Sequence, residues 1–188
     1  MLDRMGLDPS FLIGGIVEGY DTNGRNGSGA YFVAEADESD RSFLYLDPDI
    51  AVVTNVEADH LDHYDSLDDI RETFAKFMAL VGEAGTVVVC GDDPSLAELA
   101  RSTGRKVVTY GLTEGVDARC VPLPAQGIEG RCRVTLPDGS EHEVSIKSNP
   151  GTHNLLNATA ALVVAWSLGL DAAAAATALS GFAGVRRR

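Results

Sequence analysis

The sequence has no run of about 20 apolar residues, and no basic start followed by an apolar stretch and small residues, so it predicts neither a membrane span nor a secretory signal. Basic residues are also scarce, with 15 Lys and Arg against 28 Asp and Glu. A nucleic-acid or anionic-membrane surface needs a basic stripe to neutralise phosphates. We therefore expect a cytoplasmic protein that binds neither nucleic acid nor membrane.

Cysteine is scarce as well. The three cysteines, Cys90, Cys120 and Cys132, form neither a C-x-x-C pair nor a zinc framework. We interpret them as buried or unreactive thiols. With 188 residues, 45% of them hydrophobic, the chain can bury about 70% of its unfolded surface around one core. A single domain spanning residues 1–188 is expected.

Short apolar runs alternate with helical patterns, which predicts an α/β fold with a mainly parallel sheet flanked by helices. The expected strands lie at 31–35, 50–55, 86–90 and 106–110. Apolar residues spaced by three and four predict an amphipathic helix over 67–81, and an acid at 92 or 93, before Pro94, opens a second helix that ends near Gly104.

The pattern changes near residue 118. From there to 147, short alternating stretches broken by prolines and glycines predict a small antiparallel β-meander. A helix follows from about 150 to Gly169, and an alanine-rich helix starts after Asp171. The first residues resemble the last turn of a helix that ends at Gly6, and the last residues show no closing element.

Acidic residues gather after the first expected strand, where Glu35, Asp37, Glu38 and Asp40 follow one another closely. The carboxyl ends of parallel strands form the ligand crevice of an open sheet, so Glu35 is well placed to hold a hard cation such as Mg²⁺. A solvated loop that caps the next helix explains the same acids. This segment alone does not separate the two interpretations.

The next strand also ends in acids and imidazoles, among them His60 and His63. We expect Glu35 and His60 to lie at the carboxyl ends of neighbouring parallel strands, which favours a metal or phosphate site there. His63 is interpreted as a surface or capping residue.

A third polar group opens the helix near residue 152, with Thr152 as the expected N-cap. His153, Asn154 and Asn157 fall within one wedge of about 100°, whereas Leu155 and Leu162 point elsewhere. Amide side chains both donate and accept, which suits the edge of a purine base. A capped helix with a polar outer face is the alternative.

Two further segments are ambiguous. Residues 24–29, G-R-N-G-S-G, lack the G-x-x-x-x-G-K-[ST] spacing of a phosphate loop, and we interpret them as a mobile loop. The arginines at 186–188 fit either a solvated tail or a group that grips phosphate.

Taken in order, five segments resemble the Mur ligase family, and the resemblance covers essentially the whole chain. Each is weak alone, but the ordered set is specific. They are I-G-G at 13–15, A-E-A-D-E-S-D at 34–40, T-N-V-E-A-D-H-L-D at 54–62, P-G-T-H-N-L-L-N-A at 150–158 and G-V-R-R-R at 184–188.

The resemblance implies the central, ATP-binding domain of such a ligase, which has a P-loop NTPase-like fold. The G-T-H-G-K-T type phosphate loop, expected just before Leu2, is not in the sequence. The UDP-binding N-terminal domain and the amino-acid-binding C-terminal domain are not present either. We expect the isolated 188-residue chain to be inactive, to bind ATP poorly and to self-associate.

The resemblance also implies a reaction and residue roles. The implied substrates are ATP, UDP-N-acetylmuramate and L-alanine, joined through an acyl phosphate with Mg²⁺ as cofactor. Glu35 and His60 would serve the metal ions, Asn154 and Asn157 would lie along the nucleotide with His153 beside the base, and Arg188 would hold phosphates. Another Mur-type ligase, such as the one that recycles murein tripeptide, or a binding-only domain remains an alternative.

Overall fold

The computed structural model describes residues 1–17, 19–58, 63–147, 151–182 and 185–186. Short 3-10 helices occur at Leu2–Met5 and Ser42–Tyr45. The strands are β1 (Ser10–Val17), β2 (Thr22–Arg25), β3 (Phe32–Ala34), β4 (Ile50–Val53), β5 (Thr86–Cys90), β6 (Val107–Gly111), β7 (Ala118–Gln126), β8 (Glu129–Thr135), β9 (Glu141–Ile146) and β10 (Val185–Arg186). The α-helices are α1 (Leu67–Ala79), α2 (Pro94–Ser102), α3 (Thr152–Ser167) and α4 (Ala172–Leu179).

The larger sheet has six strands in the order β4-β5-β6-β7-β8-β9. Strands β4 to β7 pair in parallel, while β7, β8 and β9 pair antiparallel. The expected α/β fold with a mainly parallel sheet and a β-meander is therefore confirmed. The meander is not a separate unit, because β7 pairs with β6 on one side and β8 on the other.

Strand β5 is buried along its whole length. Successive side chains of a strand point to opposite faces. Val88 joins the core that the sheet forms with α3 and α4, and Val87 and Val89 join the second core, against α1 and α2. Burying each valine contributes about 1.5–3 kcal/mol. The valine run thus holds helices on both faces of the sheet.

The acids that precede Pro94 have separate roles. Asp93 is the N-cap of α2, and its side chain accepts hydrogen bonds from the backbone N–H groups of Ser95 and Leu96. Asp92 instead accepts from the N–H groups of Leu112 and Thr113, each at 2.9 Å. Asp92 thus ties the end of β5 to the end of β6, whereas Asp93 caps the start of α2.

The smaller sheet has four strands, in which β1 pairs antiparallel with β2 and β10 and parallel with β3. The pattern of residues 24–29 predicted a mobile loop, and this is wrong for residues 24–25. Gly24 and Arg25 belong to β2, and the following turn is held by Asp8, whose carboxylate accepts from the N–H (2.8 Å) and hydroxyl (2.7 Å) of Ser28. A Cβ at Gly29 would lie only 1.9 Å from the Leu7 carbonyl oxygen.

Strand β10 closes the chain onto β1, with Ile16 opposite Arg186 and Val17 opposite Val185. The expectation of an end without closing structure is therefore wrong for residues 185–186. The backbone ladder holds this segment, so a freely solvated tail is also excluded up to residue 186.

The expected neighbours β3 and β4 lie in different sheets. Within the described residues β3 pairs only with β1, and β4 pairs only with β5. Between them the chain passes through the 3-10 helix Ser42–Tyr45, whose Phe43 packs edge-on against Phe74 at 5.3 Å. Apolar side chains around these strands are exposed: Leu12 54%, Phe32 65%, Val33 40% and Val52 41%.

We predict that Asp93→Ala lowers the free energy of unfolding by about 1 kcal/mol at pH 7, because it removes the α2 cap. Hydrogen bonds from Ser95 lower the pKa of Asp93. The carboxylate's contribution is thus complete above about pH 4 and disappears as the pH falls through the lowered pKa. Urea unfolding from pH 2 to 7 measures this, with Glu98→Ala on the exposed face of α2 as the control. An equal difference at pH 2 and pH 7 would contradict it.

Candidate functional site

Glu35 lies directly after β3 and is held in place by β1. Its backbone N–H donates to the Leu12 carbonyl at 2.8 Å, and its side-chain Oε2 accepts from the Gly14 N–H at 2.8 Å. A Cβ at Gly14 would lie 3.2 Å from Glu35 Oε1, closer than side chains normally pack. Gly14 therefore lets the carboxylate lie against the strand backbone. The residue pattern did not predict this role, although the Gly-Gly pair at 14–15 is a signal for a close approach of two backbones.

The other acids after β3 shape the loop. Asp37 accepts from the Ser39 N–H at 2.8 Å, and Asp40 accepts from the Ser42 N–H at 2.9 Å. Hydrogen bonds from the Ser42 side chain and backbone lower the pKa of Asp40. The solvated-loop interpretation thus describes Asp37 and Asp40 well, whereas Glu35 is anchored differently.

Exposed polar groups also follow β4. The Thr54 hydroxyl donates to Asn55 Oδ1 at 2.9 Å, and Asn55 Nδ2 donates to Glu57 Oε1 at 2.9 Å. His60 follows these groups but lies outside the described residues. The described residues that follow β4 therefore offer several exposed side-chain oxygens.

Arg41 connects the loop after β3 to the residues before α1. Its Nη2 lies 3.2 Å from the His63 carbonyl oxygen and 2.6 Å from Asp69 Oδ2, and its guanidinium lies 4.7 Å from the centre of the Tyr64 ring. The Tyr64 hydroxyl donates to the Glu38 carbonyl. His63 is exposed, in line with its interpretation as a surface residue.

The start of α3 differs from the expectation by one residue. Gly151 is the N-cap residue, so no side chain caps the helix, and Thr152 is the first helical residue. The His153 ring lies against the Gly151 backbone, where an added Cβ would be 2.6 Å from His153 Cε1.

The predicted division of the α3 surface is confirmed. His153 and Asn157 are exposed and Asn154 is half-buried, whereas Leu155 and Leu162 are 4% and 0% exposed. Asn154 Nδ2 and His153 Nε2 are 3.0 Å apart. The two side chains therefore form one polar group at the first turn of the helix.

The predicted site residues thus lie in two places. Glu35 directly follows β3 of the smaller sheet, while α3 packs on β5 to β9 of the larger one. Arg188, like His60, lies outside the described residues. Among the residues described, no cluster of three or more His, Cys, Asp or Glu side chains is arranged to hold a metal ion.

One carboxylate fits a magnesium ion none the less. Mg²⁺ usually takes one or two carboxylates and fills its remaining positions with water and substrate phosphates. Glu35 offers an exposed carboxylate as a metal ligand, and the hydrogen bond that it accepts from the Gly14 N–H at 2.8 Å fixes its orientation. The donor chemistry of Glu35 is therefore suited to a Mg²⁺ ion shared with a phosphate ligand.

The cysteines are buried, as expected. Cys120 and Cys132 lie on the paired strands β7 and β8, and their thiols share a hydrogen bond that raises the pKa of Cys132, with burial acting in the same direction. Strand Thr86–Cys90 places Cys90 in the core beside α3. These thiols serve packing.

Comparison with known proteins adds a family likeness. The Mur ligase middle domain model matches residues 22–165. The chain is 44% identical to UDP-N-acetylmuramate--L-alanine ligase of Methylobacterium nodulans, over 100% of this chain and 41% of that protein. It therefore spans well under half the length of this curated relative. In the described part of the chain, no helix has the length and apolar character that a membrane crossing requires.

Two solved structures are similar throughout. UDP-N-acetylmuramate-alanine ligase of Thermotoga maritima has 31% identity and a TM-score of 0.84, with 100% of this chain and 41% of that chain covered. The UDP-N-acetylmuramate:L-alanyl-gamma-D-glutamyl-meso-diaminopimelate ligase of Neisseria meningitides has 30% identity and a TM-score of 0.84, with 99% and 61% covered.

We predict that Glu35→Ala speeds hydrogen exchange of the Gly14 amide about fivefold, because an exposed hydrogen bond to a carboxylate contributes about 1 kcal/mol. Exchange measured residue by residue by NMR on the 188-residue chain provides the test. Asp37→Ala, which removes a nearby acid bonded to Ser39 instead, should leave Gly14 unchanged. An unchanged Gly14 rate in the Glu35 variant would contradict the anchoring.

Proposed function

Because this chain belongs to the Mur ligase family, we propose that it is the ATP-binding middle part of a cytoplasmic ligase that joins L-alanine to UDP-N-acetylmuramate. The 44% identity over the whole chain to a ligase named for that reaction carries the proposal. The anchored carboxylate of Glu35 at the end of β3 supports a phosphate and metal site in this part of the protein.

The proposed reaction has two steps. A carboxylate oxygen of UDP-N-acetylmuramate attacks the γ-phosphorus of ATP, which releases ADP and leaves an acyl phosphate. The amine of L-alanine then attacks the acyl carbon, inorganic phosphate departs, and the amine nitrogen gives up a proton. Both substrates of the first step are anions, and a bound Mg²⁺ supplies the neutralising charge.

The residues of this chain would bind and orient. Glu35 presents a carboxylate oxygen in a direction set by the Gly14 N–H. His60 is proposed as a second group serving the metal, and Arg188 as a cation that holds phosphates. His153, Asn154 and Asn157 are proposed to lie along the nucleotide, because the exposed side of the first turns of α3 offers both amide donors and acceptors.

A different acceptor is the second candidate. The Neisseria meningitides structure, a ligase named for a tripeptide acceptor, matches with the same TM-score, 0.84, as the L-alanine ligase of Thermotoga maritima. Phosphate release from ATP with UDP-N-acetylmuramate and either L-alanine or the tripeptide distinguishes them. Turnover with the tripeptide alone would favour the second candidate.

We predict that Glu35→Gln and His60→Ala each lower kcat about 100-fold or more in the protein made from the complete reading frame, because each loses help for a charge-neutralising ion. Phosphate release in a magnesium titration is the measurement. Glu98→Gln makes the same chemical change on the exposed face of α2 and should leave turnover intact. Normal turnover with unchanged magnesium dependence in either site variant would refute its role.

We also propose that the 188-residue chain, produced alone, pairs with a second copy of itself. Within the described residues, β3 and β4 each pair along one edge only, and Phe32, the first residue of β3, is 65% exposed. An open strand edge with apolar side chains is a template for another chain.

We predict dimers or larger species in light scattering after size exclusion, and a shift to monomer for Phe32→Lys, which adds charge at the open edge. Tyr45→Lys changes another exposed ring, 92% accessible, that belongs to a 3-10 helix and not to a strand, and should keep the unaltered distribution. A strictly monomeric unaltered chain at matched concentration would overturn the proposal.

A further inference from the structure

Arg41 has a backbone conformation that costs energy for its residue type. Its φ is 63°, in the left-handed region that glycine adopts readily and that other residues avoid. Residues held in such conformations persist only when their surroundings determine them, and they concentrate at functional sites. The strained backbone of Arg41 therefore calls for a compensating interaction.

The Arg41 side chain supplies three contacts. The guanidinium donates to the His63 carbonyl at 3.2 Å and to the Asp69 carboxylate at 2.6 Å, and it lies over the Tyr64 ring at 4.7 Å. The planar guanidinium is suited to combine an ion pair with ring stacking. The side chain thus reaches three residues on the other side of the loop.

These contacts fasten two acidic segments to each other. Arg41 is the one Lys or Arg between residues 26 and 70, a stretch that contains many Asp and Glu residues. Like charges repel, so a cation between the loop after β3 and the residues before α1 stabilises their close approach. Tyr64 adds a second tie through its hydroxyl bond to the Glu38 carbonyl.

The partner of Arg41 is itself fixed. Asp69 lies in the first turn of α1, its N–H donates to the Ser66 hydroxyl at 3.2 Å, and its carboxylate accepts from the Asp65 N–H at 3.2 Å. A negative charge is favourable at a helix N-terminus. The loop after β3 is thus tied to the first turn of α1.

We infer that Arg41 is a positioning residue for the proposed ligase reaction. Its side chain holds the loop that follows Glu35 against the segment that follows His60. The inference rests on the proposed function. Arg41 does not touch the reacting atoms in this role. It sets the distance between the two loops whose side chains are proposed to serve one metal ion.

The backbone of Arg41 permits a clean test. Arg41→Gly removes the guanidinium, but glycine adopts the left-handed backbone without steric cost. This gain should offset the lost contacts, so we expect the melting temperature not to fall. Asp21→Gly is the matched control, because Asp21 also has a positive φ, 52°, but lies in the connection between β1 and β2. Arg41→Lys keeps the charge without the planar group.

The experiment uses the protein made from the complete reading frame. For Arg41→Gly we expect kcat to fall about 10-fold and the Mg²⁺ concentration for half-maximal activity to rise by a similar factor, as is typical when the support of a metal ligand is removed. The KM for L-alanine should not change. Arg41→Lys should be intermediate, and Asp21→Gly should match the unaltered protein.

Hydrogen exchange followed by mass spectrometry gives a readout independent of activity. Peptides covering residues 36–40 and 63–66 should exchange faster in Arg41→Gly than in the unaltered protein and Asp21→Gly. Unchanged exchange, unchanged magnesium dependence, or loss of activity together with a lower melting temperature would each overturn the positioning role. An unaltered protein with no ligase activity would overturn the proposed function, and the inference with it, even where exchange reveals the clamp.

Discussion

The structure depends on the complete burial of strand β5. All five residues of Thr86–Cys90 are buried, and alternate side chains enter the cores on opposite faces of the sheet. A parallel strand with both faces covered leaves no room for unpaired polar groups. Polar chemistry is therefore confined to the ends of the strands, which is where Asp92 ties β5 to β6 and where the polar groups after β4 begin.

Acidic side chains gather after strands β3, β4 and β5 of a chain whose formal net charge is −13. Several of these acids accept hydrogen bonds from a residue two positions further along the chain, as Asp37 does from Ser39 and Asp93 does from Ser95. Glu35 differs, because its carboxylate reaches across to the N–H of Gly14 on β1 and remains exposed. Arg41 then compensates for the closeness of two acidic loops. The segments after β3 and β4 are therefore shaped by local turns, by the anchored Glu35 carboxylate and by the bridging guanidinium of Arg41.

Residue patterns predicted the parts of the fold that follow from local periodicity. Helix α1 and the Asp93 cap need only spacing and capping chemistry. Strands β1 and β2 were missed because glycines break the strand pattern, and their pairing depends on distant contacts such as that between Asp8 and Ser28. The separation of β3 from β4 was also missed, since strand order is set by the packing of the intervening segment.

The candidate site shows the same division. The polar face of α3 could be predicted from helical geometry, but the contact between Gly14 and Glu35 joins residues that lie 21 positions apart. The central claim is that Glu35 serves a metal ion shared with ATP. A crystal structure of the complete protein with Mg²⁺, a non-hydrolysable ATP analogue and UDP-N-acetylmuramate tests it most directly. We expect a Glu35 oxygen at about 2.1 Å from Mg²⁺, or hydrogen-bonded to one of the waters of the ion, with the ion bound to the nucleotide phosphates. A Mg²⁺ ion bound to those phosphates without Glu35 in either shell would contradict it.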